Sequence, residues 1–369
     1  MSGRPIPEGQ VIRYGVIGTG MMGIEHVENI NAIDGSVVTA ISDPDPGSLA
    51  AGAAAAGLGD SAAFTDHRSL LDSGVIDAVV LASPNFTHGD ILLDIIDSGL
   101  HFLTEKPLCT TMEAARQVVD AAAGYDGVAW MGLEYRYKPP IARLIDEVQN
   151  GVVGDPKMIF IREHRFPFLP KVGGWNRFRE NTGGTFVEKC CHFFDLMNLI
   201  ADDEPVRVFA SGAQDVNHLD ESYEGRTPDI LDNAFVIVDY QGGKRAMLDL
   251  CMFAEGSQNE QELSVAGEVA KIEAFVPGGN VRISHRDGSP VSDIAVHDER
   301  IAYEGLHEGS SYLEHLDFMQ AMRDGTAPKV TLTDGLAAVA VGVAAHRSID
   351  EGRAVHMTEI LPDSGYGEA

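Results

Sequence analysis

Between residues 14 and 130 short apolar runs alternate with segments of helical spacing. Residues 14–17, 37–42, 76–82, 101–104 and 128–132 read as strands, and 49–56, 91–98 and 112–123 as helices. The run Ile76-Asp77-Ala78-Val79-Val80-Leu81-Ala82 is apolar on both parities but for one acid, the mark of a strand buried on two faces. Alternation of this kind predicts a doubly wound parallel sheet. Beyond residue 135 the character changes. A helix over 141–150 leads into strands at 157–165, 206–213, 234–240, 244–253, 262–266, 271–275 and 280–284. Glycine turns such as Gln241-Gly242-Gly243 predict antiparallel pairing there. One helix, 185–200, interrupts these strands, two more (311–323 and 336–350) close the chain, and 215–229 reads as a long polar loop. The pattern therefore predicts two domains, 1–134 and 135–369, the second an α+β domain on a large, open, mostly antiparallel sheet. Helices cover one face of such a sheet; the other predicts burial against a second copy, and so an oligomer.

Length and composition agree with this. The chain has 369 residues, 44% of them hydrophobic, enough for two cores. No run approaches the roughly 18 apolar residues of a membrane span. The formal net charge of −29 argues against nucleic-acid and anionic-membrane partners, and the spread of the acids reads as a solvated surface. Residues 1–10 carry no apolar signal-peptide core and read as a frayed leader. Cys109, Cys190, Cys191 and Cys251 show no zinc or CxxC spacing, so reduced thiols and a cytoplasmic setting are expected.

The first candidate chemistry lies where the first strand turns. Gly18-Thr19-Gly20-Met21-Met22-Gly23 sits between an apolar strand and a helical pattern, and the next strand ends at Asp43, 20 residues beyond Gly23. In that context Gly18 permits the tight turn, Gly20 lets backbone approach a pyrophosphate, and Gly23 lets the helix pack on the sheet. A carboxylate at Asp43 accepts from the ribose hydroxyls and repels a 2′-phosphate, which predicts NAD rather than NADP. An ordinary βαβ turn with a helix-capping Asp is the competing reading.

Two segments fall at later strand ends, where open α/β sheets bind ligands: Ser83-Pro84-Asn85-Phe86-Thr87-His88 and Glu105-Lys106-Pro107. An ammonium at Lys106 could stabilise an alkoxide as hydride departs; a surface lysine before a turn is the plainer reading. Farther on, Glu188, His192 and Asp195 stand at i, i+4 and i+7 of the predicted 185–200 helix, among Phe193, Leu196, Met197 and Ile200. Three ionisable groups on one stripe of an apolar helix suit the wall of a polar cavity, and a histidine beside a carboxylate suits a general base. A capping acid with a satisfied core histidine, and less readily a metal site, compete with this reading.

Taken together these motifs resemble the Gfo/Idh/MocA family of nicotinamide-dependent oxidoreductases over nearly the whole chain. The resemblance extends through Asp43-Pro44, Arg136-Tyr137-Lys138-Pro139, Gly183-Gly184 and Asp334-Gly335-Leu336. It implies an N-terminal Rossmann domain with NAD held by Gly18, Gly20, Met21, Met22, Gly23, Asp43, Ser83, Pro84, Asn85, His88, Glu105 and Lys106. It also implies His192 as acid/base, Lys106 polarising or relaying, and a homodimer or homotetramer through the open sheet; the helix stripe itself places Glu188 and Asp195 among the substrate-pocket candidates. Arg165, Trp175 and Arg177 are further candidates for binding a sugar or polyol, with His164 and His307 weaker ones. One departure stands out: inositol-dehydrogenase-like members carry Asp four residues before the histidine, whereas this chain has Glu188 followed by Lys189. The expected activity is NAD-dependent oxidation of a secondary hydroxyl of a sugar, polyol, inositol or glycoside. The alternatives are a redox-neutral glycoside-cleaving enzyme with tightly bound NAD and a non-catalytic sugar sensor.

Overall fold

The computed structural model of the protein describes residues 5–362. The chain divides into two compact units, Met1–Glu134 with Glu299–Leu336 and Tyr135–Asp298 with Ala337–Ala369.

In the first unit the chain runs β1 (Ile12–Ile17), α1 (Met21–Asn31), β2 (Ser36–Ser42), α2 (Pro46–Ala56), β3 (Ala63–Phe64) and α3 (His67–Leu71). It continues through β4 (Ala78–Leu81), α4 (His88–Ser98), β5 (His101–Thr104), α5 (Met112–Ala121) and β6 (Ala129–Met131). The strands form one parallel sheet in the order β3-β2-β1-β4-β5-β6. Every residue of β4 and β5 is buried, as expected of central strands covered on both faces. The helices start on local signals: Asp45 caps α2 by accepting from Ser48 N–H, with Pro46 at the first turn, and Thr111 caps α5. The order reverses between β1 and β4, so the loops after β1, β4 and β5 gather at the carboxyl end where such sheets bind ligands.

The second unit carries α6 (Pro139–Gln149), β7 (Pro156–His164), α7 (Arg179–Thr182), α8 (Thr185–Glu188), α9 (Cys191–Ala201), β8 (Pro205–Ala213), β9 (Asn233–Tyr240), β10 (Arg245–Cys251), β11 (Gln261–Gly267), β12 (Ala270–Val276), β13 (Asn280–His285) and β14 (Ser292–Ala295). After α10 (Ser310–Asp324) and α11 (Leu332–Glu351) comes β15 (Val355–His356). The nine strands order as β14-β13-β12-β11-β7-β10-β9-β8-β15, antiparallel except for β7 beside β10. Burial alternates along them: Val236, Val238, Leu248 and Leu250 face the core, which α6 and α9 cover. On the opposite face Phe209 pairs with Ile237, Ile237 with Met247 and Met247 with Phe160. Phe235 and Met158 on that face are 57% and 58% exposed, an apolar island rather than a wet surface.

Three features differ from the sequence reading. The strands β3 and β15 have only two residues each and β14 is mostly exposed, so none of the three carries a buried apolar run. The helix expected over 185–200 is two helices, α8 and α9, interrupted at Lys189 and Cys190: Cys190 N–H reaches back five residues to the Thr185 carbonyl, and Phe193 and Phe194 N–H begin again from Cys190. Residues 5–10 are not frayed. Ile6 N–H donates to the Met322 carbonyl at 2.9 Å, and the Arg323 guanidinium donates to the Pro7 and Gln10 carbonyls, anchoring this segment to α10 within the first unit; residues 1–4 lie outside the described part. The four cysteines are unbridged, and no helix among the described residues is long and apolar enough to cross a membrane.

Candidate functional site

In the first unit the glycine turn has the shape a dinucleotide needs. Gly18 adopts φ +86°, and a Cβ there would stand 2.6 Å from the Ser83 backbone, so the β1 and β4 loops touch only because this residue is glycine. A Cβ on Gly23 would meet the Gly18 carbonyl at 1.9 Å, whereas one on Gly20 would meet nothing within 4 Å. The turn is therefore closed on the sheet side and open on the other. Gly20 is the N-cap of α1 and has no side chain to satisfy the first-turn N–H groups, which leaves them suited to an anion. Met21 and Met22 open that helix, Met21 on its exposed side. Asp43, at the end of β2, accepts from Thr19 N–H at 2.8 Å and from Asp45 N–H at 2.9 Å. Its carboxylate is thus fixed against the turn, with lone pairs in hand for ribose hydroxyls. These residues fit a dinucleotide.

The other strand-end loops are tied to each other. Ser83 and Thr87 share a 2.7 Å hydroxyl contact, and Thr87 also donates to the Pro84 carbonyl. Asn85 is buried. His88 is fully buried, with Nδ1 2.8 Å from the Pro107 carbonyl and Nε2 3.1 Å from the Ser83 carbonyl. The ring therefore lies between the loops after β4 and β5, its one N–H able to donate to one of these carbonyls.

Behind Lys106 lies a buried ionic cluster that the sequence reading did not include. Glu105 Oε2 accepts the Lys106 N–H at 3.2 Å, and Oε1 lies 3.0 Å from His26 Nε2. His26 Nδ1 in turn lies 2.8 Å from His315 Nε2 of α10. Burial alone would lower the His26 pKa, but the hydrogen bond and charge of Glu105, with the charges of Glu25 and Glu134, raise it. For Glu105 the burial cost is outweighed by His26, with Lys106 and His307 adding to it, and its pKa is held down to about 2. Burial, then the charge of His26, pushes His315 well below the usual imidazole range. The consistent assignment is an imidazolium at His26, donating to Glu105 and to a neutral His315. Close by, His307 Nδ1 bonds Glu25 at 3.0 Å. Glu314 accepts from Trp130 Nε1 and Leu133 N–H, both at 3.2 Å; burial, followed by the Glu134 and Glu105 carboxylates, raises its pKa well above the usual range.

In the second unit the double glycine sets the entry to α8. Gly184 adopts φ +86°, and a Cβ there would strike His346 Nε2 at 2.4 Å. That nitrogen accepts the Phe186 N–H at 3.1 Å, and burial, then Arg179, pushes the His346 pKa down to about 3, so the ring is a neutral acceptor. Glu188 ends α8 and His192 lies in the first turn of α9; both are buried, on opposite sides of the interruption. The His192 imidazole stacks on the Tyr135 ring with centroids 4.2 Å apart and planes 10° from parallel. Lys189 sends its ammonium to the Tyr135 hydroxyl at 2.6 Å and to Glu163 Oε1 at 2.9 Å.

The remaining candidates are held as follows. Asp195 is in a two-armed ion pair with Arg136, Nε to Oδ2 at 2.7 Å and Nη2 to Oδ1, so its carboxylate is engaged by the Arg136-Tyr137-Lys138-Pro139 segment. Arg165 approaches Glu163 Oε1 at 3.5 Å and lies over Phe166. Arg177 is buried and donates to Glu221 Oε2 at 2.8 Å; Glu221 also takes His218 and Tyr223, so this arginine pins the 215–229 loop. Trp175 is half-buried, its carbonyl accepting from Asn181. His164 bonds Asp249 at 3.0 Å. Tyr135, Glu163 and His26 were not among the sequence candidates. Glu163 had a signal: it follows Ile159 and Ile161 on the core-facing parity of its strand. Among the described residues no three His, Cys, Asp or Glu side chains gather as a metal site requires.

A parallel sheet in this order, a glycine turn open toward an uncapped helix and an acid closing β2 define a dinucleotide-binding oxidoreductase unit, followed here by a second unit on a large open sheet. Residues 12–133 match the oxidoreductase family's NAD-binding Rossmann fold and residues 145–357 its C-terminal alpha/beta domain. The chain belongs to the Gfo/Idh/MocA oxidoreductase family and is an NAD-dependent oxidoreductase. It is 28% identical over 358 residues to myo-inositol 2-dehydrogenase of Thermotoga maritima, covering 95% of this chain and 100% of that one. The crystal structure of a probable dehydrogenase from Thermotoga maritima superposes with TM-score 0.75 at 27% identity, covering 95% of this chain and 100% of that one. Levoglucosan dehydrogenase, in complex with NADH and levoglucosan, shares the fold with TM-score 0.82 at 20% identity, over 94% of this chain and 99% of that one.

Proposed function

We propose that the protein oxidises a secondary hydroxyl of a cyclic polyol or sugar. Bound NAD supplies the hydride acceptor; the chain's own residues bind, orient and deprotonate the alcohol. His192 is the general base that takes the hydroxyl proton, and Lys106 donates to the same oxygen as negative charge grows on it. Glu188 accepts from a ring hydroxyl. Asp195 acts at one remove, by fixing Arg136. Arg165 and Trp175 contribute contacts to ring hydroxyls and a ring face. Gly18, Gly20, Met21, Met22, Gly23 and Asp43 hold the pyrophosphate and ribose, while Ser83, Pro84, Asn85, His88 and Glu105 shape the loops beside them. The second unit's apolar sheet face is the seat of a homodimer or homotetramer.

The observation that carries this reading is the buried imidazole of His192, held flat against an aromatic ring in a chain of an NAD-dependent family. The names of the relatives supply the substrate class: an inositol in one case and an anhydrosugar in another. The test is a screen for NADH formation across inositols, aldoses, anhydrosugars and glycosides. NADH from at least one is the expected result. Cleavage of a glycoside without net NADH would transfer the reading to the redox-neutral alternative, and no turnover of any of them would defeat it.

A further inference from the structure

Lys189 follows Glu188, the chain's departure from the family pattern, and it is buried. Its surroundings explain why it is there. Glu163, on the core-facing side of β7, is fully buried, and an ionised carboxylate in that position requires a cation. Lys189 supplies one at 2.9 Å, with Arg165 farther off at 3.5 Å. The same ammonium donates to the Tyr135 hydroxyl at 2.6 Å. The Tyr135 ring is then enclosed: His192 stacks on it at 4.2 Å, Phe193 meets it edge-on at 5.6 Å, and the Lys138 ammonium stands 4.8 Å from its centroid. The interruption between α8 and α9 falls at Lys189 and Cys190, where the Cys190 N–H reaches back to the Thr185 carbonyl and the helix ladder opens by one residue.

We infer that Lys189 is a positioning residue for His192: anchored by Glu163, it holds the Tyr135 hydroxyl, and through the Tyr135 ring it sets the plane of the imidazole. A stabilising role alone accounts poorly for this arrangement, because a buried ion pair adds little over an apolar pair of the same volume. The ammonium adds direction. It holds the hydroxyl end of the phenol whose ring lies against the imidazole, and a base must be held to within a few tenths of an ångström to act.

This inference rests on His192 being the base, so the experiment separates the two ideas. Four variants are prepared with wild type: Lys189→Met, the charge-balanced pair Lys189→Met with Glu163→Gln, Tyr135→Phe, and His192→Ala. Each is measured for kcat, KM, NAD affinity by titration, and imidazole NMR of histidine-labelled protein, in which His192→Ala identifies the His192 signals. In the charge-balanced pair we expect kcat to fall about 10- to 100-fold, NAD affinity to hold within about twofold, and the His192 signals to shift or broaden. Tyr135→Phe keeps the ring and loses the hydroxyl, and is expected to shift the same signals with a smaller loss of kcat. If Lys189→Met alone fails to fold because Glu163 is stranded, the charge-balanced pair still gives the answer. Wild-type kcat with unmoved His192 signals in that folded pair overturns the inference, as does a fall in kcat with the signals unmoved. Full activity of His192→Ala overturns the base assignment instead; the NMR signals then decide by themselves whether Lys189 orients the ring.

Discussion

His26 and Glu105 face each other at 3.0 Å inside the first unit, an imidazolium on α1 paired with the carboxylate that precedes Lys106. The two pKa shifts set a pH window. His26 is raised, so its contribution to stability is complete below the unfolded histidine value and is lost as pH rises through the folded one. Glu105 is depressed from 4.5 to about 2, so its contribution is present above the unfolded value and is lost as pH falls toward 2. The pair stabilises the fold most between those limits. Replacing His26→Asn should cost about 3–5 kcal/mol there, because it leaves a buried carboxylate without its cation, and the cost should shrink toward pH 3 as Glu105 takes up a proton. Denaturant unfolding across that range measures both; a loss independent of pH would mean that Glu105 is not charged in the fold.

Glu314 runs the opposite way. Its pKa is raised, so the folded chain is favoured while the carboxyl is protonated, and stability falls as pH climbs above the unfolded carboxylate range. Glutamine keeps the carbonyl that accepts from Trp130 and Leu133 and carries no charge to bury. Glu314→Gln should therefore stabilise the protein at neutral pH by about 1–3 kcal/mol and flatten this part of the pH dependence. A lower melting temperature for the variant at pH 7 would show that the carboxylate is ionised and paired.

These clusters mark what the sequence could and could not show. The parallel sheet was legible because buried runs such as Ala78–Leu81 and His101–Thr104 announce themselves without partners. The second sheet was legible because its strands alternate, as Asn233–Tyr240 does. Gly18 and Gly23 were legible because each answers a local steric demand, and Gly20 because its place in the motif, between strand and helix, leaves the turn open there. Long-range polar pairing was not: His26 and His315 are 289 residues apart, and no periodicity links them. The break at Lys189 was hidden because the apolar run continues through it, although a lysine in such a run and a glutamate on the core parity of Pro156–His164 are each visible alone. The return of Glu299–Leu336 to the first unit is likewise a matter of packing, carried by α10 against α1.

Asp43 should set the cofactor preference. Its carboxylate is locked by Thr19 and Asp45 N–H groups and cannot swing away from a 2′-phosphate. Asp43→Ser removes the charge, and we expect the ratio of kcat/KM for NAD over NADP to fall by about tenfold or more, or roughly 1.4 kcal/mol. Comparable efficiency of the unaltered enzyme with both cofactors would contradict the role given to this residue.

Substituting the two proposed catalytic residues gives the most direct test of the chemistry. Lys106 belongs to the first unit and His192 to the second, and neither side chain is needed to build the glycine turn or to fix Asp43. Lys106→Ala and His192→Ala should each lower kcat by about 100-fold or more, the scale of losing a positioned acid, base or oxyanion donor. NAD affinity, read by titration without substrate, should change by less than about threefold in His192→Ala. Because both residues are assigned to the same proton and the same oxygen, the double variant should lose little more than the worse single one, as groups acting as a unit do. Fully multiplicative losses would mean that the two act in separate steps, and the assignment of a shared substrate oxygen would have to be withdrawn.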